Sequence, residues 1–170
     1  MDDFEVGLLP VINEGSRILI LGTMPGDDSL RLKQYYANVN NQFWKILSRV
    51  YGEAIEAEYS QRLYFLHGKR LALWDVLRGG ERKGSLDSAI KEAVFNDFAA
   101  LLMTYANLKA IFFNGGKAPT LFLRHIERSQ PTLAKACLRK IVLPSTSPTP
   151  GKNVLSFEEK VVRWGSLTTL

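Results

Sequence analysis

Four short apolar runs, each closing on polar or turn-forming residues, constrain this chain more than any other feature. They are Arg17-Ile18-Leu19-Ile20-Leu21-Gly22, Arg70-Leu71-Ala72-Leu73-Trp74-Asp75-Val76-Leu77, Lys109-Ala110-Ile111-Phe112-Phe113-Asn114-Gly115 and Arg139-Lys140-Ile141-Val142-Leu143-Pro144. Strands that read as continuous apolar runs belong to sheets covered on both faces, which is the setting of parallel strands. Helical patterning fills the gaps at residues 42–51, 57–67, 86–105 in one or two pieces, 117–128 and 157–167. The alternation predicts a three-layer α/β/α sandwich with a central, mainly parallel sheet of about four strands. With 170 residues, 46% of them hydrophobic, a single domain over residues 1–170 is expected. Such sheets bind ligands beyond the carboxyl ends of their strands. That rule gathers residues 22–28, Asp75, residues 114–116 and residues 144–150 onto one rim. The first of these, Thr23-Met24-Pro25-Gly26-Asp27-Asp28, reads as loop.

Several chemistries are excluded by what the rim lacks. No G-x-G-x-x-G follows the first run, Gly115-Gly116-Lys117-Ala118 lacks the spacing and terminal hydroxyl of a phosphate loop, and there is no G-x-S-x-G elbow. His67 and His125 lie in helical patterns without a His, Cys or carboxylate at ligand spacing, so surface or core roles are expected for both. Cys137 stands alone, cannot form an intrachain disulfide, and reads as a small core side chain. No metal and no cofactor are expected. Nor is a membrane span, since no run of eighteen apolar residues occurs. The acidic start Met1-Asp2-Asp3-Phe4-Glu5 is unlike the basic start of a secretory signal, so a cytoplasmic monomer is expected. Lys and Arg outnumber Asp and Glu by 22 to 17, a modest excess compatible with a polyanionic partner.

The segment richest in chemistry is Gln34-Tyr35-Tyr36-Ala37-Asn38-Val39-Asn40-Asn41-Gln42-Phe43-Trp44, where aromatics and neutral amides precede a helix. Part of it is structural: Asn40 or Asn41 caps the helix while Phe43 and Trp44 pack inward. The remaining tyrosines and asparagines suit a planar heterocycle, which stacks on a ring and hydrogen-bonds along an edge.

Gly22-Thr23-Met24-Pro25-Gly26, Tyr35-Tyr36-Ala37-Asn38, Asn41-Gln42-Phe43-Trp44 and Leu143-Pro144-Ser145-Thr146-Ser147-Pro148 together resemble the uracil-DNA glycosylase superfamily, most closely its hypoxanthine (deoxyinosine) branch. The resemblance runs from Ile18 through Trp164 and takes in Trp74-Asp75-Val76 and Gly84-Ser85-Leu86-Asp87-Ser88. It implies a monofunctional DNA glycosylase of base excision repair. Such an enzyme flips a deaminated base, hypoxanthine by preference and uracil as a possibility, out of duplex or single-stranded DNA. Water then replaces the base at C1′, through a transition state that is cationic at the sugar and anionic on the base.

By the same resemblance, Asn41 positions the water, with Asn38 or Asn40 as helpers; a helix cap alone is the competing reading. Met24 departs from the Asn or Asp that many relatives carry before Pro25. Thr23, Met24 and Pro25 would meet the base through their backbone, and Tyr36 would stack on it, with Tyr35 in reserve. Asp75 accepts from ring N–H groups or caps structure, and Asn114, which resembles the branch's second functional asparagine, is the second catalytic residue and reads a carbonyl, or else forms a turn. Pro144, Ser145, Thr146 and Ser147 would grip DNA phosphates. Lys33, Lys45, Arg82, Lys83 and Lys152 are either phosphate contacts or solvated charges. The motifs contain no evident Schiff-base lysine, hence the monofunctional reading. Val39, where proline is common, and Thr149-Pro150-Gly151-Lys152 also depart from the branch. Two alternatives stand beside this reading: a mismatch-specific uracil/thymine glycosylase, and a non-catalytic damaged-DNA binding module.

Overall fold

The computed structural model describes residues 4–81, 91–129 and 138–170. Numbering strands from the N-terminal Phe4–Val6 (β1), the four apolar runs become Ile18–Gly22 (β2), Leu71–Asp75 (β3), Ala110–Asn114 (β6) and Arg139–Leu143 (β7). They form one sheet in the order β3-β2-β6-β7, every neighbouring pair parallel. The expected three-layer sandwich around a parallel sheet is therefore what the chain builds.

Side-chain alternation explains how one strand serves two cores. Ile18, Ile20, Leu71, Leu73, Ala110 and Phe112 point into one cluster. There they meet Phe43–Tyr51 (α2), Tyr59–Gly68 (α3) and a later helix, Phe157–Trp164 (α7), through Phe43, Ile46, Leu47, Leu66 and Trp164. Leu19, Leu21, Ala72, Ile111 and Phe113 point the other way. They pack on Phe98–Thr104 (α4) and on Lys117–Leu121 (α5) with the π-helical turn Phe122–Ile126 that continues it. Each such fully buried large side chain contributes about 1.5–3 kcal/mol relative to exposure.

Several expectations are corrected. The run at 70–77 is two strands: β3 stops at Asp75, and Leu77–Glu81 (β4) leaves the sheet after Val76. β4 lies between β1 and Lys91–Phe95 (β5) in a separate antiparallel sheet. The helix expected over 86–105 is thus replaced at 91–95 by a strand, and α4 begins only at Phe98, where Asp97 caps it through the Ala100 amide at 3.0 Å. Pairing with β4 overrides the helical preference of Lys91-Glu92-Ala93. The stretch read as loop at 23–28 already enters a helix at Asp27–Leu32 (α1). The helix expected at 117–128 changes winding after Leu121 and ends in the short α6, Glu127–Ser129. Cys137, Arg82, Lys83 and residues 84–88 lie outside the described residues. No helix among the described residues is long and apolar enough to cross a membrane.

Candidate active site

The carboxyl ends of β2, β3 and β6 and the loop after β7 open into a cleft of about 540 Å³. Its lining includes Gly22, Tyr36, Asn41, Asp75, Asn114 and Thr146, with the 23–26 turn and the 144–149 loop as walls. The rim inferred from strand ends is therefore a real concavity, and it brings together Thr23, Met24, Pro25, Tyr36, Asn41, Asp75, Asn114 and residues 144–147, but not the helper candidate Asn40 or the lysines Lys33 and Lys45.

At the floor, register sets Gly22 beside Asp75. Asp75 is buried at 5% exposure, and a Cβ on Gly22 would lie 2.4 Å from its Oδ1. Only a glycine lets the carboxylate sit there. Asn96 secures the end of β3 by donating from Nδ2 to the Asp75 carbonyl at 2.8 Å. The turn beyond β2 is clasped as well, because Val76 N–H donates to Gly22 O and Leu77 N–H to Thr23 O. Thr23, Met24 and Pro25 are all buried in this turn. Met24 packs into the apolar cluster around Leu21 and Phe98.

Tyr36 takes up a left-handed backbone with φ of 53°, an unfavourable conformation for a bulky residue, and the surroundings hold it there. Its ring stacks on Phe43 at 3.8 Å and 16°, and its hydroxyl accepts from Asn114 Nδ2 at 3.1 Å. Tyr35, the reserve candidate, is core: it is 4% exposed, and its hydroxyl donates to the Leu9 carbonyl at 3.1 Å. Burial first, and then the charge of Asp75, push the Tyr35 phenol far above its ordinary range, so it stays neutral.

Asn114 spends its amide on local partners. Nδ2 also donates to Thr146 Oγ1 at 2.9 Å, and Oδ1 accepts the Thr146 N–H at 2.9 Å. Thr146 is fully buried, and its carbonyl accepts the Gln42 N–H at 3.0 Å. The neighbouring Gly115, at φ of 93°, brings the backbone so close to Ser145 that a Cβ would lie 3.2 Å from that side chain. The 144–148 loop is thus bolted to β6 and to the start of α2. Ser145 and Pro148 remain exposed on it.

Asn41 is half-buried on the cleft wall, and its Oδ1 accepts the Phe43 N–H at 3.0 Å. This Asx turn fixes the amide plane at the mouth of α2 and leaves one lone pair of Oδ1 and the whole NH₂ uncommitted. Asn38 is anchored instead: Nδ2 donates to Asp28 at 2.9 Å, and Oδ1 accepts the Asn40 N–H at 2.9 Å. Arg31 and Asn38 together hold the Asp28 carboxyl below its usual range.

Residues 9–164 match the family model described as Uracil DNA glycosylase superfamily. The chain belongs to that superfamily. Two relatives named hypoxanthine DNA glycosylase, from Methanosarcina barkeri and Methanosarcina acetivorans, are each 42% identical over 113 residues, which is 66% of this chain and 72% of theirs. A solution NMR structure of a Methanosarcina acetivorans protein, provisionally named a uracil DNA glycosylase, superposes with a TM-score of 0.74. It is 34% identical and covers 97% of this chain and 99% of that one.

The remaining expected residues fall outside the chemistry. His125 stacks on Phe95 at 4.5 Å and His67 sits on α3; neither lines the cleft. Among the described residues no group of three or more His, Cys, Asp or Glu side chains could hold a metal. Lys33 and Lys45 are exposed, and Lys152 is exposed at the cleft edge. Among the cleft residues not singled out from the sequence is Lys160 on α7, 4% exposed, whose Nζ donates to Gln42 Oε1 at 2.8 Å. The signal was present, since Phe157, Lys160, Val161 and Trp164 share one face of the helix and place a cation on its apolar stripe.

Proposed function

We propose that this DNA glycosylase is monofunctional and takes hypoxanthine as its preferred base, flipped from DNA into the cleft between Tyr36 and Asp75. The observation that carries the reading is the buried Asp75 carboxylate at the cleft floor, placed beside Gly22. An ionised carboxylate only accepts hydrogen bonds, so it suits a deaminated base edge that offers N–H, such as the N1–H of hypoxanthine or the N3–H of uracil. The names of the Methanosarcina relatives support the preference for hypoxanthine.

In this mechanism the flipped base stacks on the face of Tyr36 that Phe43 does not cover, and Asp75 orients its edge. Asn41 Oδ1, its plane set by the Phe43 N–H, holds a water toward C1′. The C1′–N9 bond breaks, its electron pair leaves with the base, and the water oxygen bonds to C1′. The water then gives a proton to solvent and the base takes one up. Backbone amides of the 23–26 turn stabilise the anionic base as it departs. Asn114 acts as a positioning residue through Tyr36 and Thr146. Pro144, Ser145 and Ser147 carry the DNA strand, while Thr146, expected to join them, is buried and fixes the loop to Asn114.

End-labelled duplexes bearing one hypoxanthine, uracil, xanthine or thymine-mismatch site test the reading. Strand breaks that appear only after alkali, and most strongly for hypoxanthine, are expected. Breakage without alkali overturns the monofunctional mechanism. Dominance of uracil overturns the base preference, and no cleavage of any substrate leaves a damaged-DNA binding module.

A further inference from the structure

Lys160 is the one buried cation of the cleft among the described residues, and no described ion pair gives it an anion, although Asp27, Asp28 and Asp75 line the same cleft. Its two carboxylate neighbours on α7 are committed elsewhere. Glu158 pairs with Arg49 at 3.0 and 3.1 Å, while Glu159 closes the capping box with Ser156 at 2.8 and 2.7 Å. The described ion pairs do not include Lys160, and its ammonium donates to one neutral acceptor, Gln42 Oε1. Two of its three N–H groups therefore have no protein acceptor. Burying an ammonium so incompletely paired is costly, and the cost is offset when a ligand brings the missing negative charge.

The hydrogen-bonded chain from Lys160 shows where that charge arrives. Lys160 Nζ donates to the Gln42 side chain, and the Gln42 N–H donates to the Thr146 carbonyl at 3.0 Å. The ammonium is thus tied through Gln42 to the hydroxyl-rich 144–148 loop. Desolvation pulls the lysine below its ordinary range, a cost an approaching anion would reverse.

We infer that Lys160 binds a backbone phosphate of the flipped nucleotide, completing with Ser147 a phosphate seat inside the cleft. The inference rests on the DNA glycosylase reading and adds a binding residue to it. Exposed lysines meet phosphates at a rim. Lys160 instead meets a phosphate that has already entered, so its contribution is confined to flipped nucleotides.

The test measures binding of the full chain to a duplex carrying a tetrahydrofuran abasic analogue, which has no base to contact. Wild type is expected to prefer this duplex to an undamaged one; equal affinity would count against the glycosylase reading itself. Given that preference, Lys160→Met should weaken analogue binding about tenfold at low salt and reduce the salt slope by about one, leaving undamaged duplex unaffected. Lys160→Arg should restore the slope, which separates charge from folding, and melting temperatures check all variants. Replacing the flanking phosphates one at a time by neutral methylphosphonates should identify one at which wild type and Lys160→Met bind alike. An unchanged slope in Lys160→Met overturns the inference, as does a deficit that persists whichever phosphate is neutralised.

Discussion

Asn114 at the end of β6 and Tyr36 in the loop before α2 are joined by a hydrogen bond of 3.1 Å, donated by the asparagine amide to the tyrosine hydroxyl. The same amide holds Thr146, so one side chain sets the spacing between the stacking ring and the 144–148 loop. Asn114→Ala removes all three bonds and leaves the buried Thr146 N–H without its acceptor, at a cost of about 1–3 kcal/mol. A lower melting temperature and a slower single-turnover rate are expected. Tyr36→Phe, which keeps the stack on Phe43 but loses the hydroxyl, should slow the reaction modestly alone and add little in the Asn114→Ala background. Full additivity of the two rates would show that the bond does not carry the effect.

Asn41 serves two purposes that substitutions can separate. Asn41→Ala loses the acceptor for the Phe43 N–H, worth about 1 kcal/mol of stability, and loses the group that orients the water. The single-turnover rate on hypoxanthine should fall by roughly 10²–10³. Asn41→Asp retains the acceptor, so it should regain the stability and part of the rate. A catalytically normal Asn41→Ala would remove Asn41 from the mechanism and transfer attention to Asn38 and Asn40.

Gly22 gives a test of the cleft floor that touches no functional group. The added methyl of Gly22→Ala would lie 2.4 Å from Asp75 Oδ1 and 3.7 Å from the Tyr36 hydroxyl, and buried overpacking of this kind costs about 1–3 kcal/mol. Activity should drop further than stability explains, because the carboxylate that reads the base must move. Melting curves alongside rates on the hypoxanthine duplex measure the two losses; wild-type rates would show that Asp75 is not held where the base docks.

The parts of this architecture that rest on periodicity were legible in the chain. β2, β3 and β6 are apolar on both faces and β7 carries the apolar run Ile141-Val142-Leu143, so their existence and their common carboxyl rim followed from the residues, and Asp75 and Asn114 fell at strand ends. β4 and β5 were not legible, because Gly79 and Gly80 interrupt one and Lys91-Glu92-Ala93 favours helix in the other; each depends on its partner strand. Lys160 was hidden for a different reason. A lysine in an amphipathic helix ordinarily snorkels to solvent, and only the packing of α7 against α2 turns it into the cleft. The double bonding of Asn114 likewise depends on the course of the 144–148 loop, which no local pattern encodes.

Asp28 provides a pH-dependent handle on the base-stacking loop. Its hydrogen bonds to Arg31 and then Asn38 lower its pKa from 3.8, so the anchored form is fully favoured above that value and is lost as pH falls through the lower folded value. Between pH 5 and 8 the anchor should be intact. Below the ordinary carboxylate range the Asn38 side-chain amide signals should broaden or shift in nitrogen-correlated NMR spectra. Asp28→Ala should show the released signals already at neutral pH, and an Asn38 amide that does not change in either case would remove this anchor from the account.

On the proposed reading, the base preference turns on the difference between a carboxylate and a carboxamide at position 75. A carboxylate offers acceptors alone, which match the N1–H of hypoxanthine or the N3–H of uracil but give the neighbouring carbonyl no donor; an amide adds that donor, and on the same reading this second contact is assigned to uracil. Asp75→Asn changes the volume little, so the packing of Gly22 against it should persist and any loss of stability should be small. The hypoxanthine rate should then fall while uracil cleavage rises, and sites built on hydrogen bonding can shift preference by about 10²-fold or more when the bond pattern is broken. Competition between the two substrates in one reaction gives the ratio of their kcat/KM values directly. If Asp75→Asn loses uracil activity in step with hypoxanthine activity, Asp75 shapes the floor without reading the base.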